Sequence, residues 1–389
     1  MNKPGIVLKP GRDKAIKNKH HWIFSGAVSY ISEFNNGEIL PVYSSSGELL
    51  GHAYCNQKTS ILGRMLSFGE IDPVKELENN LVSAIGMRES LFNEKVTNCY
   101  RLVNSEGDNI PGLIIDKYDQ VLVIQSATAG IDLLKQQIID FLVKKLKPVA
   151  IYEKSDLSSR REEGLTMSEG LLFGKETKSV EVIENDIKFV VDLVNSQKTG
   201  FFLDQREMRV WVGELAKNKT VLNCFAYTGG FSLYAVKGGA KQVDTVDIST
   251  EAVKRAEENF ALNGFRGQFG FIVDDVFEFL RAKELNYDLI ILDPPAFAKK
   301  KNDIIKACRG YKDINRLTLQ KMPAGSILVT SSCSYHVDEK LFQTVVFQAA
   351  VEANRKVRII GRHHLAPDHP INIFHPEGEY LKSLVLYVE

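Results

Sequence analysis

Val221–Ala235 reads VLNCFAYTGGFSLYA, and its three parts ask different things of the backbone. Val221, Leu222 and Cys224 read as the end of a buried strand, Ala226–Gly230 as a tight glycine turn, and Phe231 onward as a helix. With no Cβ at Gly229 and Gly230 the backbone is free to take positive φ and to let a ligand approach closely, while the unpaired N–H groups of the new helix face that ligand. In open α/β sheets, ligands sit at the carboxyl ends of such strands. Taken alone, the stretch is also what an ordinary glycine-rich link between strand and helix looks like, so the sequence on either side decides its meaning.

Downstream, strand and helix patterns alternate. Val243–Ile248 reads as a second strand ending in Asp247; Ser249 or Thr250 caps the next helix, Ala252, Val253, Ala256 and Phe260 form its buried stripe, and Asn263-Gly264 ends it. Phe269–Asp274, Tyr287–Leu292 and Ser326–Thr330 read as the third to fifth strands. They close on Asp274-Asp275, Asp293-Pro294-Pro295 and Ser331-Ser332-Cys333-Ser334. Upstream, a hairpin pattern (Val180–Glu184, Lys188–Val194) and a helix over Gln205–Leu215 lead into the first strand. Alternation of this kind, continuing to about residue 365, predicts an α/β fold with a parallel, doubly wound sheet, and it puts each polar group of interest just past a strand end. Asp247, about twenty residues beyond the glycine turn, stands where dinucleotide folds place an acid for the ribose hydroxyls. The turn lacks the G-x-G-x-x-G of nicotinamide enzymes, so the ligand reads as a nucleoside of another kind.

A chain of 389 residues predicts two or three domains, and its 44% hydrophobic and 25% charged content is that of a globular protein able to bury a sizeable core. No apolar run reaches the roughly 18 residues a membrane span needs, and the basic N-terminus has no apolar signal region, so the expected location is the cytoplasm, without a membrane partner. Five cysteines (Cys55, Cys99, Cys224, Cys308, Cys333) without a CxxC pair give neither a disulfide framework nor a zinc site. His363, His364 and His369 lack metal-ligand spacing with other candidates, and no metal is expected. Forty-nine basic residues balance 49 acidic ones, so any nucleic-acid contact must rest on local patches.

Two such patches stand out. Lys3, Lys9, Arg12, Lys14, Lys17 and Lys19 precede His20-His21-Trp22 and are opposed only by Asp13; Lys299, Lys300, Lys301, Lys306, Arg309 and Lys312 follow the Pro-Pro turn. Each reads either as a solvated face or as phosphate contacts, with Tyr311 and Phe297 available to stack on bases. Residues 1–70, with strand patterns at Ile39–Tyr43, Leu49–Tyr54 and Ile61–Leu66, predict a small β-barrel. Residues 71–178 predict a mixed α+β domain: a helix capped by Asp72 ahead of Pro73, strands at Tyr100–Asn104, Leu113–Lys117, Val121–Ser126 and Ala150–Lys154, and a helix at Ile131–Leu146. The charged run from Arg160 and the glycines up to Gly174 read as a linker or loop, with the α/β domain occupying 179–389.

In order along the chain, VLNCFAYTGGFSLYA, VDIS, DDVFEFL, DPPAFAKKK and TSSCS resemble the cofactor-binding and catalytic motifs of class I S-adenosylmethionine-dependent methyltransferases. NSQKTGFFLDQR, RLVNSEGDNIPGLIIDKY, CRGYKDINRL and DHP…PEGEYLK narrow the likeness to the bacterial 23S ribosomal RNA cytosine-5 methyltransferases with an N-terminal PUA domain (RlmI type), over essentially the whole chain. The resemblance implies a Rossmann-like methyltransferase domain with an N-terminal PUA β-barrel that presents the RNA and a small central α+β domain. It implies S-adenosyl-L-methionine as cofactor, ribosomal RNA as partner, and leaves a homodimer open. It puts the methionine part at Phe225, Tyr227 and Gly229, the ribose at Asp247, and adenine against Ile248, Asp275 and the Val276 backbone. Gln197, Thr199, Gly200 and Asp204 would close the pocket.

A lone cysteine near a strand is ordinarily inert filler. Cys333 sits past a strand end among serines, across from Asp293, and is the expected catalyst: carbon 5 of cytosine is too weak a nucleophile until a thiolate adds at carbon 6. Asp293, in Asp293-Pro294-Pro295, is expected to line the pocket and receive hydrogen bonds from a flipped base. Ala296 and Phe297 stand where some cytosine-5 enzymes carry a second cysteine, which implies a one-cysteine mechanism with the base open between Asp293 and His336. Cys224 and Cys308 read as packing. Methylation of another atom, such as a guanine nitrogen, would leave Cys333 dispensable; a nonenzymatic RNA-binding or ribosome-assembly factor would not bind the cofactor.

Overall fold

The computed structural model describes residues 4–194, 196, 198–298 and 300–389; Lys3, Gln197 and Lys299, named above, lie outside the described residues. The chain forms two compact units, one of residues 1–186, 191–203 and 367–378, the other of residues 187–190, 204–366 and 379–389.

The first unit holds two larger sheets. In space the first runs Trp22–Phe24, Ile61–Phe68, Leu49–Cys55, Ile39–Tyr43, Ile6–Leu8, Val28–Ile31. Register shifts at Ile23/Phe24, His52/Ala53, Val42/Tyr43 and Val7/Leu8 add local twist, which curls this sheet around Ile6, Leu8, Ile23, Val42, Ala53 and Met65. The second has five strands, from Cys99–Asn104 to Ser168–Gly174, packed on the helices Pro73–Leu91 and Ala129–Leu146. Asp72 caps the first helix, its carboxylate accepting from the amides of Val74 and Lys75 at 3.0 and 2.9 Å.

The stretch read as a linker is built structure. Ser158–Glu162 is a helical turn, and Ser168–Gly174 is an edge strand antiparallel to Ala150–Ser155. Arg160 is buried, both terminal nitrogens donating to Asp132 at 2.8 Å, with a further bond to the Ser126 carbonyl. A charged run reads as solvated, but a guanidinium's planar fork can satisfy itself inside when a carboxylate meets it face on.

The second unit carries the strands β1 (Thr220–Cys224), β2 (Gln242–Asp247), β3 (Gln268–Val273), β4 (Leu289–Leu292), β5 (Ile327–Ser332), β6 (Val357–His363) and β7 (Lys382–Val388) in one seven-stranded sheet of order β3-β2-β1-β4-β5-β7-β6. Its helices are α1 (Arg206–Leu215), α2 (Gly230–Lys237), α3 (Thr250–Leu262), α4 (Val276–Ala282), α5 (Ile304–Lys321) and α6 (Glu339–Glu352). The central strands alternate between two cores. Leu222, Cys224, Val246, Ile290, Leu292 and Leu328 face one, and Val221, Val243, Leu289, Ile291, Val329 and Val385 the other, as a sheet covered on both faces requires.

Two expectations are corrected here. The sheet is not wholly parallel: β7, past the alternating region, inserts antiparallel between β5 and β6, pairing Lys382 with Ser332. β5 also continues through Ser331 and Ser332, both buried, so that only Cys333 and Ser334 follow its end. The Ser331 and Ser383 hydroxyls share a 2.8 Å hydrogen bond across the β5–β7 pair, which lets the strand keep its serines inside.

Candidate functional site

The mouth of the second unit lies at the carboxyl ends of β1, β2, β3, β4 and β5. Between β1 and α2 the backbone takes positive φ at Phe225 (57°), Tyr227 (48°) and Gly229 (81°). Two of these are bulky residues in a region that costs of order 1–3 kcal/mol each, so the surroundings must hold the turn. Asp247 does much of this, one carboxylate oxygen accepting from the Tyr227 amide at 2.8 Å and the other from the Ser249 amide at 2.9 Å. A Cβ on Gly229 would come within 2.9 Å of the Ala256 Cβ, so that glycine serves close packing on α3 as well as its φ. Ser249 caps α3 by accepting from the Ala252 amide at 3.2 Å, and Asn263-Gly264 ends it, Gly264 at φ 64°.

The other expected residues are placed as follows. Ile248, directly after Asp247, is 68% exposed, an apolar side chain left uncovered at the edge of the mouth. Asp275 caps α4, one oxygen accepting from the Glu278 amide at 3.1 Å, and Val276 buries its side chain beneath, leaving backbone as the part it can offer. Asp293 follows β4 and accepts from the Gln205 side-chain amide at 2.9 Å. Gln205 is buried and was not among the expected residues; its signal was its place beside Asp204 in FLDQR. Asp204 accepts from the Tyr380 hydroxyl at 2.7 Å, which ties FLDQR to EYLK. Thr199 and Gly200 belong to the first unit, where the Thr199 hydroxyl donates to Asp116 at 2.6 Å and shares a 3.0 Å bond with the Tyr118 hydroxyl.

Cys333 is half-buried, with its sulfur 3.8 Å from the Pro294 carbonyl oxygen, so thiol and Pro-Pro turn share one strand-end mouth. Of the other cysteines, Cys55, Cys99 and Cys224 are buried and Cys308 is half-buried. Burial pushes the Cys55 thiol up to about 12 and drives Cys224 further still; it also raises the half-buried Cys308. Beside Cys333, Ser334 is a hub: its hydroxyl accepts from the Ala298 amide at 3.0 Å and meets the Tyr311 hydroxyl at 2.8 Å, and its carbonyl accepts from the Lys382 ammonium at 2.7 Å. Neither Tyr380 nor Lys382 was expected as a site residue. His336 follows in the same turn, its ring edge-on to Tyr335 at 5.3 Å between centroids.

The expectation that Tyr311 stacks on bases is overturned: it is fully buried, hydrogen-bonded to Ser334 and packed on Phe297 at 4.6 Å. An exposed aromatic near this turn is Tyr335. In the basic run Lys312 pairs with Glu352 at 2.7 Å. In the N-terminal patch Lys17 pairs with Asp13 and Glu48, while Arg12 and Lys14 line a groove with Trp22 and Phe24. His20, His375 and Glu377 bring ligand-type atoms within 4.8 Å of one another. The Trp22 amide donates to His20 Nδ1 at 3.1 Å, however, which leaves the proton of the neutral ring on Nε2, facing Glu377 rather than an ion.

The sequence pattern of S-adenosylmethionine-dependent methyltransferases matches residues 162–368, and that of PUA-like domains matches residues 6–68. The protein named ribosomal RNA large subunit methyltransferase I of Aliivibrio fischeri is 41% identical over 391 residues, covering 98% of this chain and 99% of its own. Its namesake in Vibrio parahaemolyticus is 41% identical over 396 residues with the same coverage. Among solved structures, a methyltransferase complexed with SAH is similar at a TM-score of 0.85 and 23% identity, covering 99% of this chain and 100% of that one. A SAM-dependent methyltransferase from Streptococcus mutans follows at 0.83, with the same identity and coverage. Both likenesses speak to the fold.

Proposed function

Because the chain belongs to the family of the ribosomal RNA large subunit methyltransferase I proteins, S-adenosylmethionine-dependent enzymes with a PUA-like domain, we propose that it methylates carbon 5 of a cytosine in large-subunit (23S) ribosomal RNA through a covalent Cys333 adduct. The observation that carries this reading is the half-buried Cys333 thiol, one residue past β5 and 3.8 Å from the carbonyl of the Pro-Pro turn. Cys333 adds through its sulfur to carbon 6, moving the ring's π electrons toward carbon 5, which then takes the methyl group. A base removes the proton from carbon 5, and the bond between sulfur and carbon 6 breaks to return the thiolate. S-adenosyl-L-methionine supplies, when bound, an electrophilic methyl group on a positively charged sulfur.

The mouth suits that cofactor. Asp247 keeps acceptor capacity on both oxygens beyond its two amide bonds, which fits the ribose hydroxyls. Uncovered Ile248 fits a purine face, Asp275 and the Val276 backbone its edge, and the turn from Phe225 to Gly229 the methionine part. Asp293, steadied by Gln205, is assigned to the pocket shared by cofactor and extruded base. Extrusion costs a few kcal/mol, which favours an unpaired target. In this reading residues 1–70 present the RNA through Arg12 and Lys14, 71–178 form the central domain, 179–389 carry the chemistry, and the enzyme works in the cytoplasm. Mapping 5-methylcytidine in ribosomal RNA from cells with and without the protein tests it. One large-subunit position is expected to lose its methyl group in the deletion strain, and an unchanged map overturns the assignment.

A further inference from the structure

Lys382 is a buried cation whose partners are all neutral. It opens β7 opposite Ser332 of β5, is 5% exposed, and its ammonium donates to the carbonyls of Ser334 at 2.7 Å and Tyr380 at 2.8 Å. Among the described residues no carboxylate forms an ion pair with it. Taking an ammonium out of water is costly unless a full negative charge or several good acceptors replace the solvent, and two carbonyl dipoles make up only part of that. Burial accordingly pulls its pKa down to about 8, and of the charges that oppose this, Cys333 acts first, ahead of Asp338 and Glu379. Roughly nine-tenths of such a lysine is still charged at pH 7.

The other titratable groups around the pair are of different kinds. Asp338 is engaged as the cap of α6, accepting from the Leu341 amide at 2.7 Å, and Glu379 is the acid flanking Tyr380. From α5, the Tyr311 hydroxyl stays neutral, since burial raises its pKa and the Cys333 charge pushes the same way. From the β4 end come Asp293 and the Pro294 carbonyl, and His336 shares the turn after Cys333. Lys382 thus carries a positive charge against both residues that flank Cys333, pairing with Ser332 and donating to the Ser334 carbonyl.

We propose that Lys382 is a positioning residue that holds Cys333 as the thiolate, its ammonium being the counter-charge both for the attacking sulfur and for the sulfur expelled when the adduct breaks. The proposal rests on the covalent reading of Cys333. The thiol gives its proton to water at the half-open mouth, and the Lys382 proton stays in place throughout. Sulfur gains its bond to carbon 6 with the pair left on it, and regains that pair on elimination beside the same cation. A low thiol pKa raises the thiolate fraction for attack and improves sulfur as a leaving group.

The test is the pH profile of alkylation of Cys333 by iodoacetamide, read by peptide mass spectrometry on the folded full-length chain, beside the pH profile of kcat/KM. The wild-type thiol is expected to titrate at least one unit below the ordinary value of about 8.5. K382Q, which keeps amide N–H donors for the two carbonyls but removes the charge, is expected to shift the alkylation profile upward by at least one unit. It should also react roughly tenfold more slowly at pH 7. K382R is expected to keep most of the wild-type profile. A wild-type thiol titrating at or above 8.5 overturns the proposal whether or not a variant folds, and so do superimposable wild-type and K382Q profiles. Because alkylation needs no methyl transfer, the two readings separate: an active C333S defeats the covalent reading, whereas an inactive C333S with an unshifted K382Q defeats only the role of Lys382.

Discussion

Cys224 and Cys333 stand at the ends of two parallel strands of one sheet, one the last residue of β1 and the other the first beyond β5. That one-residue difference separates their chemistry. As a strand residue, Cys224 points into a core with Leu222, Val246 and Ile290 and is fully buried, so its thiol holds its proton. Cys333, released from the strand, lies half-buried beside the Pro294 carbonyl, with a buried ammonium as its electrostatic neighbour. Residue type does not separate the two thiols; depth relative to the strand end does.

Exchanging each thiol for something inert gives the largest test of the contrast. C333S is expected to lower methyl transfer by three or more orders of magnitude while calorimetric S-adenosylmethionine binding stays within twofold of wild type. C224A should do the reverse, leaving kcat within a few-fold but lowering unfolding stability by roughly 1–2 kcal/mol through a small cavity between β1 and its neighbours. A C333S enzyme that turned over normally would erase the distinction.

The next effect concerns the turn after β1, which has no counterpart after β5. Asp247→Ala removes the acceptor of the Tyr227 and Ser249 amides together with the proposed ribose ligand, and should weaken S-adenosylmethionine binding by about 100-fold, or roughly 2.7 kcal/mol. Asn at this position keeps an acceptor for one amide and should lose less. Titration calorimetry at one salt concentration ranks the two; equal losses would mean that charge, not the hold on the turn, is what matters there.

Much of the fold and of this mouth was legible because the signals are local. Asp72 and Ser249 act as caps where a short polar side chain precedes an apolar stripe, and Asp247, Asp275, Asp293 and Cys333 each follow a run of β-forming residues. What escaped depends on contacts far apart in the chain. Arg160 and Lys382 look like solvent-facing charges until Asp132 or the Ser334 carbonyl meets them. β7 lies beyond the alternating region, and nothing local says that it runs antiparallel beside β5. Tyr311 was misread although a signal existed: Ala307, Tyr311, Ile314 and Thr318 recur at helical spacing and all face inward, which should have outweighed the basic residues around them. The positive φ of Phe225 and Tyr227 had no signal, since neither residue type favours it.

Labelling the native protein sharpens the contrast without changing a residue. Brief iodoacetamide treatment at pH 7.5 should modify Cys333 first and Cys308 at least tenfold more slowly, and should leave Cys55, Cys99 and Cys224 intact, because the first two sulfurs are partly open and the last three lie inside. Peptide mapping reads the order directly. Modification of Cys224 at a rate comparable to Cys333 would require the β1 end to open as readily as the β5 end.

The smallest expected effect belongs to Ile248, which carries no load in the fold. At 68% exposure it has little apolar surface left to lose on truncation, so Ile248→Ala should leave thermal stability within measurement error. If a purine face covers it, the same change removes on the order of 40 Å² of apolar contact, about 1 kcal/mol, and should weaken S-adenosylmethionine binding roughly fivefold with kcat unchanged at saturation. A stability loss with unaltered affinity would place Ile248 in the packing of the β2 end instead, and would move the adenine away from the side of Asp247 to which it is assigned.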